Sequence, residues 1–291
     1  MNSKILVTGA TGTIGSFVVD LLKENKANFV AMVRNAEKAK PFKEKGIKTV
    51  MADFSKPALL EKALEGIQKV FLLSATSPDS PVLQGNLVRL AKAAGVKHIV
   101  KGSVRGADVN ADFNIGRWHG QTEADIRESG ISYTFLQPHS FLQNLLFDAE
   151  SIREEGKIYG MQGDGKIPMV DARDIAAVGV ASLLEEGHEN KSYVLTGPEP
   201  ISYHDIVREL SSALGKKIEY IKQTPEEGRK AMLSFNMPEW LVDDMVKLNI
   251  RYANGEAMNV SQDIEHVLGR NAHSLKDFID DYIDLFKSVR Q

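Results

Sequence analysis

With 291 residues, 43% of them apolar and 26% charged, the chain has the composition of a soluble globular protein: one large domain, or a core domain with a smaller appendage. Its 36 lysines and arginines nearly balance 39 acidic residues, and a net charge of -3 gives neither nucleic acid nor an anionic membrane an electrostatic hold on the whole surface. The absence of cysteine excludes a disulfide framework, a thiolate nucleophile and a cysteine-based zinc site, and it fits a reducing compartment.

The first apolar run, Ile5-Leu6-Val7, is ended at once by Thr8-Gly9 and is too short for a signal peptide or a membrane span. No later stretch approaches twenty uncharged apolar residues, so the expectation is a cytoplasmic protein with no membrane partner. Strands are predicted at 4–8, 29–33, 48–51, 70–74, 98–101 and 133–136, where Val, Ile, Leu and aromatics crowd into short runs. Helices are predicted between them at 13–24, 58–63, 82–94 and 116–129. The third of these carries Val82, Leu83, Leu87, Leu90, Ala91 and Ala94 at close to a 3.6-residue period. Strand–helix repetition with short connections implies right-handed crossovers and a parallel sheet, an α/β fold of the doubly wound Rossmann type. Near-continuous apolar strands agree, because such a sheet is buried on both faces.

After about residue 150 the rhythm changes. A buried helix is predicted at 174–184, a strand at 192–195, a helix at 203–214 opened by Ser202, and further helices from 224 to 291. This predicts a dinucleotide-binding domain over 1–150 and a smaller, mainly helical substrate-binding region over 151–291, packed on it because no Pro/Gly-rich linker intervenes.

Gly9-Ala10-Thr11-Gly12-Thr13-Ile14-Gly15 follows the first strand and opens the first helix. The first glycine permits a tight turn, the second lets a phosphate reach the backbone, and the third allows close helix packing. Free N–H groups and the positive end of the helix dipole then face the anion, and no acidic residue precedes Asp20. Arg34 follows the second strand about twenty residues past the last glycine, where an NAD-specific site carries an acid. A guanidinium there suits a ribose 2′-phosphate, with Lys38 adding charge, so the expected cofactor is NADP(H). Asp53-Phe54 follow the third strand, either as an adenine contact or as a plain turn. Ser74 ends the fourth strand at the carboxyl edge of the sheet, where ligands of open α/β sheets bind.

These motifs, with Val33-Arg34-Asn35-x-x-Lys38, the run from Tyr133 through Gln137-Pro138-x-x-Phe141 to Asn144, and Val170-Asp171-x-x-Asp174-Ile175-Ala176, resemble the NmrA-like branch of the atypical short-chain dehydrogenases. Within it the chain looks most like triphenylmethane-dye reductases and type 2 quinone oxidoreductases. The resemblance runs from residue 3 to about 220 and fades over the last 70. It implies an NADPH-dependent oxidoreductase acting on a small aromatic or quinone-like acceptor. It also implies a rival, since the branch holds noncatalytic NADP(H) sensors that regulate a protein partner.

The branch's ordinary relatives oxidise alcohols with Tyr-x-x-x-Lys on the helix after the fifth strand, the tyrosine shuttling a proton. No such motif occurs here. His119 stands where the lysine would align, with Ile115 in the tyrosine slot. Hydride transfer to a quinone or cationic dye needs less, because the acceptor is already electrophilic and water can protonate the product, leaving His119 to position. His119 and Glu123, four apart on a helix, are either a pair in which the acid orients the imidazole or a helix-surface pair. Ser103 past the fifth strand is either a substrate contact or a turn serine. Pro138 and Phe141 look like the nicotinamide-lining segment, and Phe141 is equally a core residue. Ser103, His119 and Phe141 are the catalytic candidates, and no metal set is evident. Met232, Phe235, Met237, Trp240 and Met245 either line a pocket for flat molecules or form a helical core.

Overall fold

The computed structural model describes residues 4–287. In chain order the first elements are β1 (Ile5–Val7), α1 (Thr13–Glu24), β2 (Phe29–Val33), α2 (Ala36–Glu44), β3 (Thr49–Met51), α3 (Pro57–Leu64), β4 (Lys69–Leu72), α4 (Ser80–Ala93), β5 (His98–Gly102), α5 (Asn114–Ser129) and β6 (Ser132–Pro138). A 3-10 turn over Leu142–Asp148 leads to α6 (Ala149–Glu154) and β7 (Lys157–Gly160). Then come α7 (Ala172–Leu184), β8 (Lys191–Leu195), α8 (Tyr203–Leu214), β9 (Glu219–Lys222), α9 (Pro225–Ser234), α10 (Glu239–Ala253), α11 (Asp263–Leu268) and α12 (Leu275–Phe286).

The chain divides into two compact units that interleave, rather than parting at one boundary near 150. The first comprises the residues up to Pro138, Ala172–Leu195 and His266–Gly269. The second comprises His139–Asp171, Thr196–Glu265 and the residues from Arg270 on. The strand predicted at 192–195 is thus the last strand of the first unit's sheet.

That sheet has seven strands in the order β3-β2-β1-β4-β5-β6-β8, every pair parallel. Alternation along the strands assigns its faces. Val70, Leu72, Ile99 and Phe135 join the core beneath α3, α4 and α5. Phe71 and Leu136, of the opposite parity, meet α7 at Gly179, and α1 packs along α7. Both faces are therefore covered, which is why β1 and β2 are apolar and buried at every position. Helix α2 was not predicted. Its stretch is polar and contains Pro41, yet the Asn35 side chain accepts from the Lys38 N–H and starts it.

The second unit is mainly helical. Leu142, Ile152, Ile158, Leu210, Phe278 and Phe286 are fully buried in its core. Capping boxes at Ser202–Asp205, Thr224–Glu227 and Ser274–Asp277 start α8, α9 and α12. It also holds a small parallel ladder of β7 and β9, in register from Lys157↔Glu219 to Gly160↔Lys222, which periodicity did not reveal. The helices expected from 224 onward are α9 to α12, and residues 288–291 of that stretch lie outside the described residues. Phe235 is 84% exposed, so it is no part of a helical core. Among the described residues no helix is long and apolar enough to cross a membrane.

Candidate active site

The strand order reverses between β1 and β4, and the glycine turn sits at that switch point. Thr8 ties the two carboxyl ends together: its Oγ1 donates to the Leu73 carbonyl at 2.7 Å and accepts from the Leu73 N–H at 2.8 Å. Gly9 has φ +63°, and a Cβ there would lie 2.8 Å from the Leu73 oxygen. A Cβ on Gly15 would lie 2.1 Å from the Gly9 carbonyl oxygen, so the helix start is folded onto the turn itself. Gly12, whose N–H donates to the Gly9 carbonyl at 3.0 Å, is the N-cap of α1 and brings no side chain to it. The first turn holds no acid and no side chain caps it, so the N–H groups at the start of α1 are left without a carboxylate competing for an anion. A side chain at Gly15 would collide with the Gly9 carbonyl and push the helix start off the turn, so the free N–H groups keep their place over the turn only with glycine there.

Arg34 leaves β2 exposed, one residue before the cap of α2, and Lys38 stands in that helix's first turn. Their charges add to the positive end of α2. Asp53 leaves β3 nearby. Its Oδ1 accepts from the Ser55 hydroxyl at 2.6 Å and the Ser55 N–H at 2.8 Å. These bonds first, then the Arg34 and Lys56 charges, hold its carboxyl below the usual range. Phe54 packs partly buried against the main core, and the Ser74 hydroxyl accepts from Gln84 at 2.9 Å. Pro138 ends β6, its carbonyl accepting from the Arg105 N–H at 2.9 Å.

At the carboxyl end of β5 lies a polar cluster. Helical spacing turns His119, Glu123 and Ile126 toward the sheet, with Ile126 in the core below. Glu123 is buried. One of its oxygens accepts from the Ser103 hydroxyl at 2.6 Å and from the Gln137 amide at 2.9 Å, and the other from Arg127 at 3.1 Å. Arg127 in turn lies over Tyr133 and Phe135, 5.5 and 4.7 Å from their ring centres. Neither oxygen of Glu123 reaches His119, so the acid does not orient the imidazole. That role falls to Lys101, fully buried on β5, whose Nζ lies 2.8 Å from His119 Nδ1 and 3.0 Å from the Gly102 carbonyl. An ammonium has no acceptor, so it donates to both and leaves the imidazole proton on Nε2. Burial, opposed by the Glu123 charge, brings Lys101 down to about 7. Burial first and the Lys101 charge second hold His119 well below the ordinary histidine range, so the imidazole is neutral at neutral pH.

The structure therefore brings Ser103 and His119 together around Lys101 and Glu123. Ser103 spends its hydrogen on Glu123, so its hydroxyl oxygen is left only as an acceptor. Phe141 belongs to the second unit, half-buried and bridged to Val170. Lys101 was missed because a lysine was sought only on the helix. Its signal was a charged residue inside a strand otherwise reading as buried. Among the described residues no three His, Cys, Asp or Glu side chains are grouped to hold a metal.

A three-glycine turn opening a helix at the switch point of a parallel sheet defines a Rossmann-type dinucleotide-binding protein. The profile of the NmrA-like family matches residues 1–285, and the chain belongs to that family. It is similar to the NAD(P)H azoreductase of Xenophilus azovorans, 42% identical over 274 residues that cover 94% of this chain and 96% of the relative. Among solved structures it is similar to the NADPH complex of an NADPH-dependent quinone oxidoreductase from Escherichia coli, with TM-score 0.87, 30% identity and 96% and 99% of the two chains covered. The NADP(H) complex of the Citrobacter sp. triphenylmethane reductase gives TM-score 0.84, 29% identity and coverage of 96% and 99%.

Proposed function

We propose that this protein is a cytoplasmic NADPH-dependent reductase that passes a hydride to flat, electrophilic acceptors such as quinones, azo dyes and triarylmethane dyes. The observation that carries the reading is the cluster at the end of β5. A neutral imidazole stands where proton-shuttling dehydrogenases place a lysine, at the edge of a sheet whose anion cradle is intact. The dye and quinone reductases among its relatives support the same reading.

When bound, NADPH supplies the hydride from its nicotinamide ring. The N–H groups of Thr13, Ile14 and Gly15, with Thr11, Gly12 and Gly9, would hold the pyrophosphate. Arg34 and Lys38 would take the 2′-phosphate, Asp53 and Phe54 the adenine end, and Ser74 and Pro138 the middle of the cofactor. His119 and Ser103 would face the acceptor. The acceptor is a small aromatic molecule, and neither nucleic acid nor membrane is a partner.

The test is NADPH oxidation, followed by absorbance, against panels of quinones, azo dyes and triarylmethane dyes. Consumption with at least one class is expected. Tight NADPH binding with no acceptor consumed would overturn the reading in favour of a cofactor-sensing protein that answers to a protein partner.

A further inference from the structure

We propose that Lys101 supplies the proton that completes reduction of a carbonyl acceptor and passes it through the imidazole of His119. The proposal rests on the reductase reading above. Water need not be the proton source, because a better one is built into the sheet. Lys101 Nζ is fully buried, and its path to the site runs through His119 Nδ1, 2.8 Å away. A lysine kept only for packing has no reason to occupy this position, since Ile99 and Val100 beside it fill the same strand with hydrocarbon.

The groups facing it are few. Helix α5 contributes neutral His119 and the carboxylate of Glu123, and that carboxylate is shared among Arg127, uncharged Gln137 of β6 and Ser103 just past β5. With an ionisation near 7, Lys101 is present in both forms at neutral pH and gives up a proton readily. While it is charged, it fixes the Nε2–H tautomer, so the imidazole offers a proton outward.

The balance is as follows. A hydride with its electron pair reaches a quinone, and an oxygen of the acceptor becomes anionic. That oxygen takes the Nε2 proton as Nδ1 takes one from Nζ. NADPH, quinone and one proton become NADP+ and hydroquinone. Lys101 is left as an amine, which a solvent proton restores through the same imidazole after product leaves. A cationic triarylmethane dye differs: carbocation plus hydride is already the neutral product, and no proton is required.

This difference supplies the experiment. Wild-type protein and Lys101→Met are assayed with NADPH against a quinone and a cationic triarylmethane dye from pH 5.5 to 9. Nitrogen NMR of labelled histidine follows the His119 tautomer in the cofactor-free proteins. NADPH affinity, measured by fluorescence, checks that the variant folds. In wild type, quinone turnover should fall as pH rises through about 7, and dye turnover should not share that break. In Lys101→Met the break should vanish, and the quinone-to-dye ratio should drop on the order of a hundredfold, as loss of general acid catalysis does. His119 should lose its fixed Nε2–H tautomer in the variant. A quinone profile without the break, an unchanged ratio, or the same tautomer in both proteins overturns the relay. Wild-type protein inert toward both acceptors overturns the reductase reading instead.

Discussion

Replacing Lys101 by methionine has a second consequence, on stability, that needs no cofactor. Lys101 ionises near 10.5 in the unfolded chain and at about 7 in the folded one. At about 1.4 kcal/mol per pH unit, that difference sets a ceiling of roughly 5 kcal/mol on the cost of burying the charge. The sign follows from proton counting. Below pH 7 both states hold the proton, and the cost is complete and constant. Between 7 and 10.5 the unfolded state binds more protons, so wild-type stability rises with pH. Methionine carries no proton and lacks that rise. It also leaves the Gly102 carbonyl without its lysine partner, a loss of about 1–3 kcal/mol that does not depend on pH. Urea unfolding of both proteins at pH 6 to 10 isolates the effect, since titrating groups away from Lys101 cancel in the difference and neutral His119 gains no proton in that range. The variant's advantage over wild type should shrink by about 2–4 kcal/mol between pH 7 and 10. A difference that stays flat across that range would mean that Lys101 remains an ordinary charged lysine, and the relay would fall with it.

Arg34→Ala should weaken NADPH binding about tenfold or more, since a charged hydrogen bond is worth roughly 1.5–3 kcal/mol, and should leave NADH nearly unaffected; equal losses in fluorescence titrations would show that Arg34 does not read the phosphate. Gly15→Ala drives a Cβ into the Gly9 carbonyl at 2.1 Å. It should abolish measurable NADPH binding and lower the melting temperature, and retention of both properties would contradict the cradle. Glu123→Gln removes the charge that holds Lys101 up, so the pH break in quinone turnover should move below 7, and a break that stays put would separate the two groups.

The sheet was legible because burial on both faces leaves little choice of residue. Runs such as Ile5-Leu6-Val7 and Phe29–Val33 are apolar at every position. The glycine turn was legible because only glycine fits where it folds on itself. Two kinds of feature were not. Strands β7 and β9 are short and half-exposed, and they exist through pairing with each other, a tertiary fact absent from local pattern. The α2 helix is polar around Pro41, and its cap at Asn35 was the only cue. In the site, Ser103 was singled out by its place just past the fifth strand and His119 by its alignment with the lysine of ordinary relatives, but the partners of neither were legible. The spacing of four between His119 and Glu123 suggested a pair, whereas Lys101 from the sheet takes His119, and Ser103, Gln137 and Arg127 donate to Glu123. Residues adjacent across a sheet and a helix carry no fixed separation in sequence.

The direction of the chemistry follows from the same contact. Oxidising an alcohol requires a base to accept the hydroxyl proton. With Lys101 charged, His119 presents Nε2–H and can only donate, so the cluster favours reduction at and below neutral pH. Once Lys101 is an amine it no longer fixes the tautomer, and Nε2 becomes free to accept. Activated alcohols should therefore be oxidised with NADP+, if at all, only well above pH 7, with the rate rising through the range where quinone reduction falls. Simple alcohols should stay inert throughout, since the sequence has no Tyr-x-x-x-Lys pair to take their proton. Rates of NADP+ reduction with a hydroxybenzyl alcohol and with ethanol, measured from pH 6 to 10, test this. Oxidation at pH 6 as fast as at pH 9 would show that His119 is not held in the donor form.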